Sequence, residues 1–428
     1  MVTKTEKLAL FGGQKVIEGR LKRYNPIGQE ETDAAAAVVS GGVLSQFVGC
    51  WEPDFFGGPK VQAFERLCEE YFGVEHAVTV NSWTSGLVAA VGAIGIEPGD
   101  EVIVTPWTMT ATATAILQWN AIPVFADIEP ETFCLDPVSV EANVTPHTKA
   151  IMAVDIFGHP SDMDALRDIA TRYRLKVVTD TAQAPSSRYK GRTTGVLGDV
   201  GGFSLNRHKH IHTGEGGILV TNDDTIADRL RLIRNHAEAV VGDKGVADLC
   251  NMIGQNFRMG EIEAAIGIEQ LKKLDRLADD RRRAAQRLSE GLSGLPGLRT
   301  PIVKPDCTHS YYMYPMVLDL ELLRTTRSRI FDALEAEGVP GLAEGYACLH
   351  LLPMYQQKIA YGSKGFPWTS DICQREVSYD LGTCPVAETL HQSTYLGLET
   401  CMYEFTNDDV DLIVAAFQKV WNRRESLA

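Results

Sequence analysis

Gly202-Phe203-Ser204-Leu205-Asn206-Arg207-His208-Lys209-His210-Ile211-His212-Thr213-Gly214-Glu215-Gly216-Gly217 is the stretch on which the reading of this chain turns. It sets one lysine five residues after a serine and five before a Gly-Glu-Gly-Gly turn, and the strand-like Ile218-Leu219-Val220-Thr221 follows. A lysine on a tight loop between strands can be desolvated, which lowers its pKa and frees the amine to form a Schiff base with a carbonyl cofactor. Ser204 stands where its hydroxyl can hold an anion beside that lysine, and the glycines let backbone pack closely. Taken alone, the same spacing also suits a solvated surface lysine, so the neighbouring segments carry the argument.

Working outward, Val178-Thr179-Asp180-Thr181-Ala182-Gln183-Ala184 ends an apolar strand in an aspartate, with a glutamine three residues on. The carboxyl edge of a parallel sheet is where α/β proteins bind ligands. There Asp180 can keep a pyridinium nitrogen protonated and Gln183 can bond a ring hydroxyl; the alternative is a helix-capping Asp with an exposed Gln. Thr105-Pro106-Trp107-Thr108-Met109-Thr110-Ala111-Thr112-Ala113 offers large side chains either to cover a flat ring or to fill a core. Val80-Asn81-Ser82-Trp83-Thr84-Ser85-Gly86 sits where a strand gives way to a helix. Backbone N–H groups and hydroxyls at a helix amino terminus make an anion site; Ser82 or Thr84 can equally serve as a simple cap.

Short apolar strands alternate with helical stretches through this region. Ala77–Val80, Glu101–Val104, Pro123–Ala126, Ala150–Val154 and Lys176–Thr179 read as strands, with helices near Thr84–Ile94 and Ala111–Trp119 between them. That alternation predicts an α/β fold, a mostly parallel sheet covered on both faces. Upstream, a helix is expected over Thr32–Val43, a glycine- and aromatic-rich loop over Gly49–Gly58, and a helix over Val61–Phe72. Downstream, one long charged helix is expected over Met259–Ser289, with the run Asp279-Asp280-Arg281-Arg282-Arg283 on a solvated face. Gly291–Gly297 marks a boundary into a smaller α+β domain ending in a helix near Asp408–Arg424. The chain therefore divides into an arm and entrance loop (1–60), a large domain (61–295) and a small carboxyl-terminal domain (296–428).

The 428 residues suffice for two or three domains. A net charge of −15 argues against nucleic acid or an anionic membrane surface as a bulk partner. Nine scattered cysteines without a Cys-x-x-Cys pair suit reduced thiols in a cytoplasm. No apolar run reaches the roughly 20 residues of a membrane span, and Met1–Lys7 has no signal-peptide core. The alternating His208, His210 and His212 share a face of an extended segment, but no Cys or carboxylate nearby completes a metal set, so no metal is expected.

In their order along the chain, these motifs resemble the fold-type I enzymes of pyridoxal 5'-phosphate (PLP), and specifically the DegT/StrS-type sugar aminotransferases. The likeness runs from Leu8-Ala9-Leu10-Phe11-Gly12-Gly13 to the final helix. It implies that Lys209 is the Schiff-base lysine, Asp180 the partner of the pyridine nitrogen and Gln183 the partner of the ring oxygen. Ser204 and the backbone around Trp83 and Thr84 correspond to the phosphate cradle. Gly254-Gln255-Asn256-Phe257-Arg258-Met259 matches a segment whose asparagine reaches the phosphate of the neighbouring subunit, so Asn256 implies a homodimer with shared sites. The implied reaction converts a ketosugar, nucleotide-linked, into an aminosugar, with glutamate or glutamine as amino donor.

The chain departs from the family pattern at three places. Trp83 stands where the family has a glycine. The ring-stacking position, normally aromatic, aligns with Met109, so that either its thioether covers the ring or Trp107 shifts in. The Gly49–Gly58 loop is long and is expected to shape the substrate entrance. Tyr346 and His350 resemble a family loop near the substrate, or else belong to a surface loop. Two other functions fit the same motifs: amination of a cyclitol ketone such as an inosose, and a non-catalytic PLP-binding regulator. A related dehydratase branch carries histidine at the lysine position; the spacing to Gly214–Gly217 assigns that position to Lys209 and favours transamination.

Overall fold

A computed structural model describes residues 7–427; the reading of Met1–Lys7 falls, up to position 6, outside the described residues. Seven strands form the central sheet: β1 (His76–Val80), β2 (Glu101–Val104), β3 (Ile122–Phe125), β4 (Thr148–Val154), β5 (Lys176–Asp180), β6 (Val200–Ser204) and β7 (Gly217–Thr221). They lie in the order β1-β7-β6-β5-β4-β2-β3. β2 through β6 run parallel to one another, and β7 alone is antiparallel to both its neighbours. Their near-continuous apolar sequences follow from burial on both faces, against helices such as Trp83–Ala93, Thr110–Gln118 and Met163–Tyr173.

Residues beyond 295 build a second, antiparallel sheet of β8 (Leu298–Arg299), β9 (Tyr314–Leu318), β10 (Leu342–Glu344) and β11 (Tyr395–Leu398), ordered β8-β9-β11-β10. Its core is closed by the helices Leu274–Leu292, Arg327–Ala336 and Asn407–Asn422 and by Leu8 and Ile17 from the arm. Cys348, Leu349, Tyr355, Trp368 and Tyr379, though late in sequence, join the core of the seven-stranded sheet instead.

Two expectations are corrected. The charged helix is two helices, Glu261–Leu271 and Leu274–Leu292. At the junction the Lys273 amide bonds back only three residues, to Gln270, whose side-chain amide reaches Pro26 O and Glu31 while Lys273 Nζ holds Glu31 as well. The helix Gln29–Gly41 thereby pins the break. Nor is the Asp279–Arg283 run simply solvated. Arg281 is buried, its guanidinium 4.1 Å from the Tyr24 ring centroid and its Nε donating to Cys401 Sγ. Arg282 donates to His309 O and Ser186 O. Successive helical residues differ by about 100° in direction, so a run of five necessarily puts some side chains inward.

The amino end of the site is anchored by a buried ion pair. Glu65 Oε1 accepts from Arg234 Nη1 and also from the amide and hydroxyl of Thr79 in β1. Removing one member of such a pair leaves an uncompensated buried charge and costs about 3–5 kcal/mol.

Candidate active site

Lys209 sits in the loop that joins β6 to the antiparallel β7. The loop is closed by backbone bonds from Leu205 N to Gly216 O and Arg207 N to Gly214 O, and by Asn206 Nδ2 donating to the Glu215 carboxylate. Gly216 has φ +154°, and a Cβ there would lie 2.7 Å from Thr213 Oγ1, which is why a glycine stands at that corner. Lys209 is buried; its Nζ makes no hydrogen bond or ion pair with any described residue and lies 4.4 Å from the Tyr312 ring centroid. Burial pulls its pKa down to about 8, against the opposing pull of the Asp180 charge. A buried amine without an acceptor and partly neutral near pH 8 is a nucleophile in waiting.

Asp180 ends β5 beneath that loop, since parallel strands present their carboxyl ends to one edge. Its Oδ1 accepts from Trp83 Nε1 at 2.7 Å and Ala182 N at 3.2 Å, and its Oδ2 accepts from Thr112 Oγ1 at 2.8 Å. Hydrogen bonds to a charged group contribute about 1.5–3 kcal/mol each, so the carboxylate is firmly oriented. Gln183 is buried too: its Oε1 accepts from Phe157 N and its Nε2 donates to Tyr346 Oη at 3.1 Å. Burial pushes the Tyr346 hydroxyl up to about 12, so it remains a phenol.

The helix Trp83–Ala93 begins at the end of β1, capped by Ser82 Oγ, which accepts from Ser85 N. Ser82 is therefore a cap, and the first-turn amides of Trp83 and Thr84 remain as donors at the helix terminus. Ser204, buried at the end of β6, accepts from Asn206 N through its hydroxyl. Asn256 lies against the same turn through its backbone, its carbonyl accepting from Asn81 Nδ2. Its side chain is exposed and accepts from Arg258 Nε.

Lys209, Asp180, Gln183 and the Trp83–Thr84 turn thus meet at one edge of the sheet, with Ser204 at the base of the lysine loop. Trp107 is fully buried, with Tyr346, Tyr395, Phe133 and His391 around it. Met109 is 61% exposed at the amino cap of the next helix, its Sδ accepting from Thr110 Oγ1 at 3.9 Å, and it is the more accessible side chain of the two. Tyr346 is at the site and His350 is not: His350 is buried with its Nε2 on Glu388. Neither belongs to a surface loop. The histidine row is used structurally at His210, whose Nε2 bonds Ser310 O, and burial beside Lys209 and Arg207 drives His208 down to about 4. Sequence reasoning missed Thr112, Phe157 and Tyr312. Thr112 was legible only as a helical position facing the strand end, and Tyr312 carries no spacing signal because its contact spans more than a hundred residues.

This arrangement agrees with what the chain is similar to. The DegT/DnrJ/EryC1/StrS aminotransferase family model matches residues 52–392. The chain belongs to that family. The GDP-perosamine synthase of Caulobacter vibrioides is 35% identical over 364 residues, covering 85% of this chain and 90% of the relative. The L-glutamine:2-deoxy-scyllo-inosose aminotransferase of Streptoalloteichus tenebrarius is 34% identical over 361 residues, 80% of this chain and 83% of the relative. Among solved structures, S. venezuelae DesV in complex with a ketimine intermediate matches with a TM-score of 0.76 at 30% identity, covering 92% of this chain and 94% of that one. The protein is accordingly an aminotransferase of the DegT/StrS type. Its family implies PLP, and the donor set fits that group: an unpartnered buried amine for the aldehyde, an oriented buried carboxylate for the ring nitrogen, and a helix terminus for the phosphate.

Proposed function

We propose that this aminotransferase converts the ketone of a nucleotide-linked ketosugar into an amine, with glutamate or glutamine as amino donor. The observation that carries the reading is Lys209: buried, without an acceptor, its pKa lowered to about 8, in line with the Asp180 carboxylate whose charge acts on it. Of the relatives' names, GDP-perosamine synthase favours a nucleotide-linked substrate, while L-glutamine:2-deoxy-scyllo-inosose aminotransferase favours the cyclitol alternative. PLP, once bound, supplies the electron sink that makes the donor's α-carbon proton removable.

The chain's own residues do the rest. Lys209 Nζ would hold the cofactor at its aldehyde carbon and, once free, would serve as the base that takes the donor's α-carbon proton and, protonated, as the acid that supplies the aminosugar's. Asp180 would face the ring nitrogen and hold it protonated. Gln183, fixed by Phe157 N and Tyr346 Oη, would meet the ring oxygen. The amides of Trp83 and Thr84 and the Ser204 hydroxyl would hold the phosphate, and Met109 would cover the ring. A 240 Å³ cavity lined by Arg207, His208, Tyr312, Met313, Glu399 and Cys401 adjoins the lysine loop, with the exposed Arg207 offering a cation to an anionic part of substrate or donor.

The same proposal includes a homodimer in which Asn256 reaches the partner's phosphate site, in keeping with its exposed side chain and the exposed apolar Leu249 and Ile253 just before it. It also keeps the division into an arm (1–60), a cofactor domain (61–295) and a small domain (296–428), and a cytoplasmic location, in line with nine free cysteines. Among the described residues no helix is long and apolar enough to cross a membrane. Purified protein offered glutamate or glutamine with a panel of nucleotide ketosugars and inososes tests the reading. Amine formed from a nucleotide ketosugar supports it; amine formed from inososes alone replaces it with the cyclitol reading; and failure to bind PLP overturns both.

A further inference from the structure

We infer that the Trp83 side chain is a positioning residue for Asp180, fixing which carboxylate oxygen is left to meet the cofactor's ring nitrogen. A carboxylate has about four acceptor sites. Three are filled from within the protein: both on Oδ1, by Trp83 Nε1 at 2.7 Å and Ala182 N at 3.2 Å, and one on Oδ2, by Thr112 Oγ1 at 2.8 Å. The single proton of the Thr112 hydroxyl is spent on Asp180, so in the 3.0 Å pair with Thr108 it is Thr108 that donates. The remaining acceptor site is on Oδ2.

The indole is built into its place. It is buried, with glycines of two elements against its ring and a third against its backbone. A Cβ at Gly202 in β6 would lie 2.5 Å from Trp83 Cζ3, one at Gly86 in the same helix 2.8 Å from Cε3, and one at Gly217 in β7 3.0 Å from the Trp83 backbone. Trp83 and Gly86 are three apart on one helix and so stand one above the other. The absence of side chains at Gly202 and Gly86 thus leaves room for the ring at a position the family fills with glycine. Without the indole N–H, Oδ1 would have a second open acceptor site, and the carboxylate could present either oxygen to the ring.

The inference rests on the PLP reading of the site for its consequence, but not for its first test. The apoprotein labelled with ¹⁵N-tryptophan gives indole N–H resonances for its six tryptophans. The Trp83 resonance is identified by its disappearance in Trp83→Phe, and it should move more than the other five in Asp180→Ala. The second measurement titrates PLP into apoprotein. Trp83→Phe, which fills the slot but has no N–H, should weaken PLP binding about tenfold while leaving the apoprotein melting temperature near wild type. A Trp83 resonance indifferent to Asp180→Ala, or wild-type PLP affinity in a folded Trp83→Phe, overturns the inference. If Trp83→Phe does not fold, the resonance shift decides. If the wild-type apoprotein takes up no PLP while the resonance still responds to Asp180→Ala, it is the proposed function that fails and the Trp83–Asp180 coupling that stands.

Discussion

The two walls of the site are built in different ways. The polar wall, made of Asp180, Gln183, Ser204 and Lys209, comes from strand ends and one hairpin loop within thirty residues of one another. The aromatic wall, made of Trp107, Phe157, Tyr312, Tyr346 and Tyr395, comes from segments spread over nearly three hundred: Trp107–Tyr395 and Phe157–Tyr346 meet edge to face at 5.3 and 5.1 Å, Phe157 and Tyr395 stack at 5.5 Å, and Tyr312 stands beside Lys209. Residues that must meet a cofactor atom by atom are held by covalent neighbourhood and the sheet's register. Residues that need only fill space and orient a neighbour are recruited from wherever packing brings them.

If the comparison is right, breaking the polar wall destroys chemistry and breaking the aromatic wall only tunes it. Lys209→Ala should abolish turnover in a folded protein. Borohydride reduction and peptide mass mapping should place the cofactor adduct on Lys209, and an adduct on Lys176 or Lys190 would reassign the site. Asp180→Asn should lower kcat on the order of 10²-fold, because it removes the charge opposite the ring nitrogen; wild-type kcat would make Asp180 a structural cap.

A third prediction concerns the boundary between subunits. Mixing Lys209→Ala with an inactivating Asn256 variant should restore up to about a quarter of wild-type activity, since half the dimers are mixed and each has one intact site of two. Demonstrated subunit exchange without recovery would put Asn256 and Lys209 in one chain's site. In the apoprotein, the rate of PLP capture should rise about tenfold per pH unit and level off above pH about 8, because only the neutral Lys209 amine attacks. Burial lowers that pKa and Asp180 raises it, so Asp180→Asn should move the midpoint to lower pH. The smallest effect belongs to the aromatic wall: Tyr346→Phe removes one neutral hydrogen bond from Gln183, which keeps its bond to Phe157 N, and should cost about two- to tenfold in KM or kcat.

What was legible in the sequence follows the same division. Six of the seven strands of the large sheet and the helices Trp83–Ala93 and Thr110–Gln118 were readable because fully buried strands are continuous apolar runs and the motifs sit at their ends; the strand Val200–Ser204 and the helices Pro137–Ala142 and Met163–Tyr173 were not. Asp180, Gln183 and Lys209 come together because two neighbouring parallel strands, β5 and β6, deliver their carboxyl ends to one place. Arg281 was misread because local charge says nothing of what packs on a helix face, and here Tyr24 and Cys401, hundreds of residues apart, close over it. The break at Lys272–Lys273 depends on Glu31, which no local window contains. Trp83 was seen as an oddity of sequence; its bond to Asp180 depends on room left by Gly202, more than a hundred residues away, which no local window contains.

The placement of β7 has a consequence for how the chain is made. β1 occupies the edge of the sheet and pairs only with β7, His76 opposite Thr221. A ribosome adding about 5–20 residues per second therefore releases β1 on the order of ten seconds before its partner exists. During that interval the edge of His76–Val80 has no native strand to join, although the helix after it can already pack on Thr110–Gln118. The last strand of the seven-stranded sheet to arrive is also the one that closes the Lys209 loop, so that loop takes its final shape only when the sheet is complete.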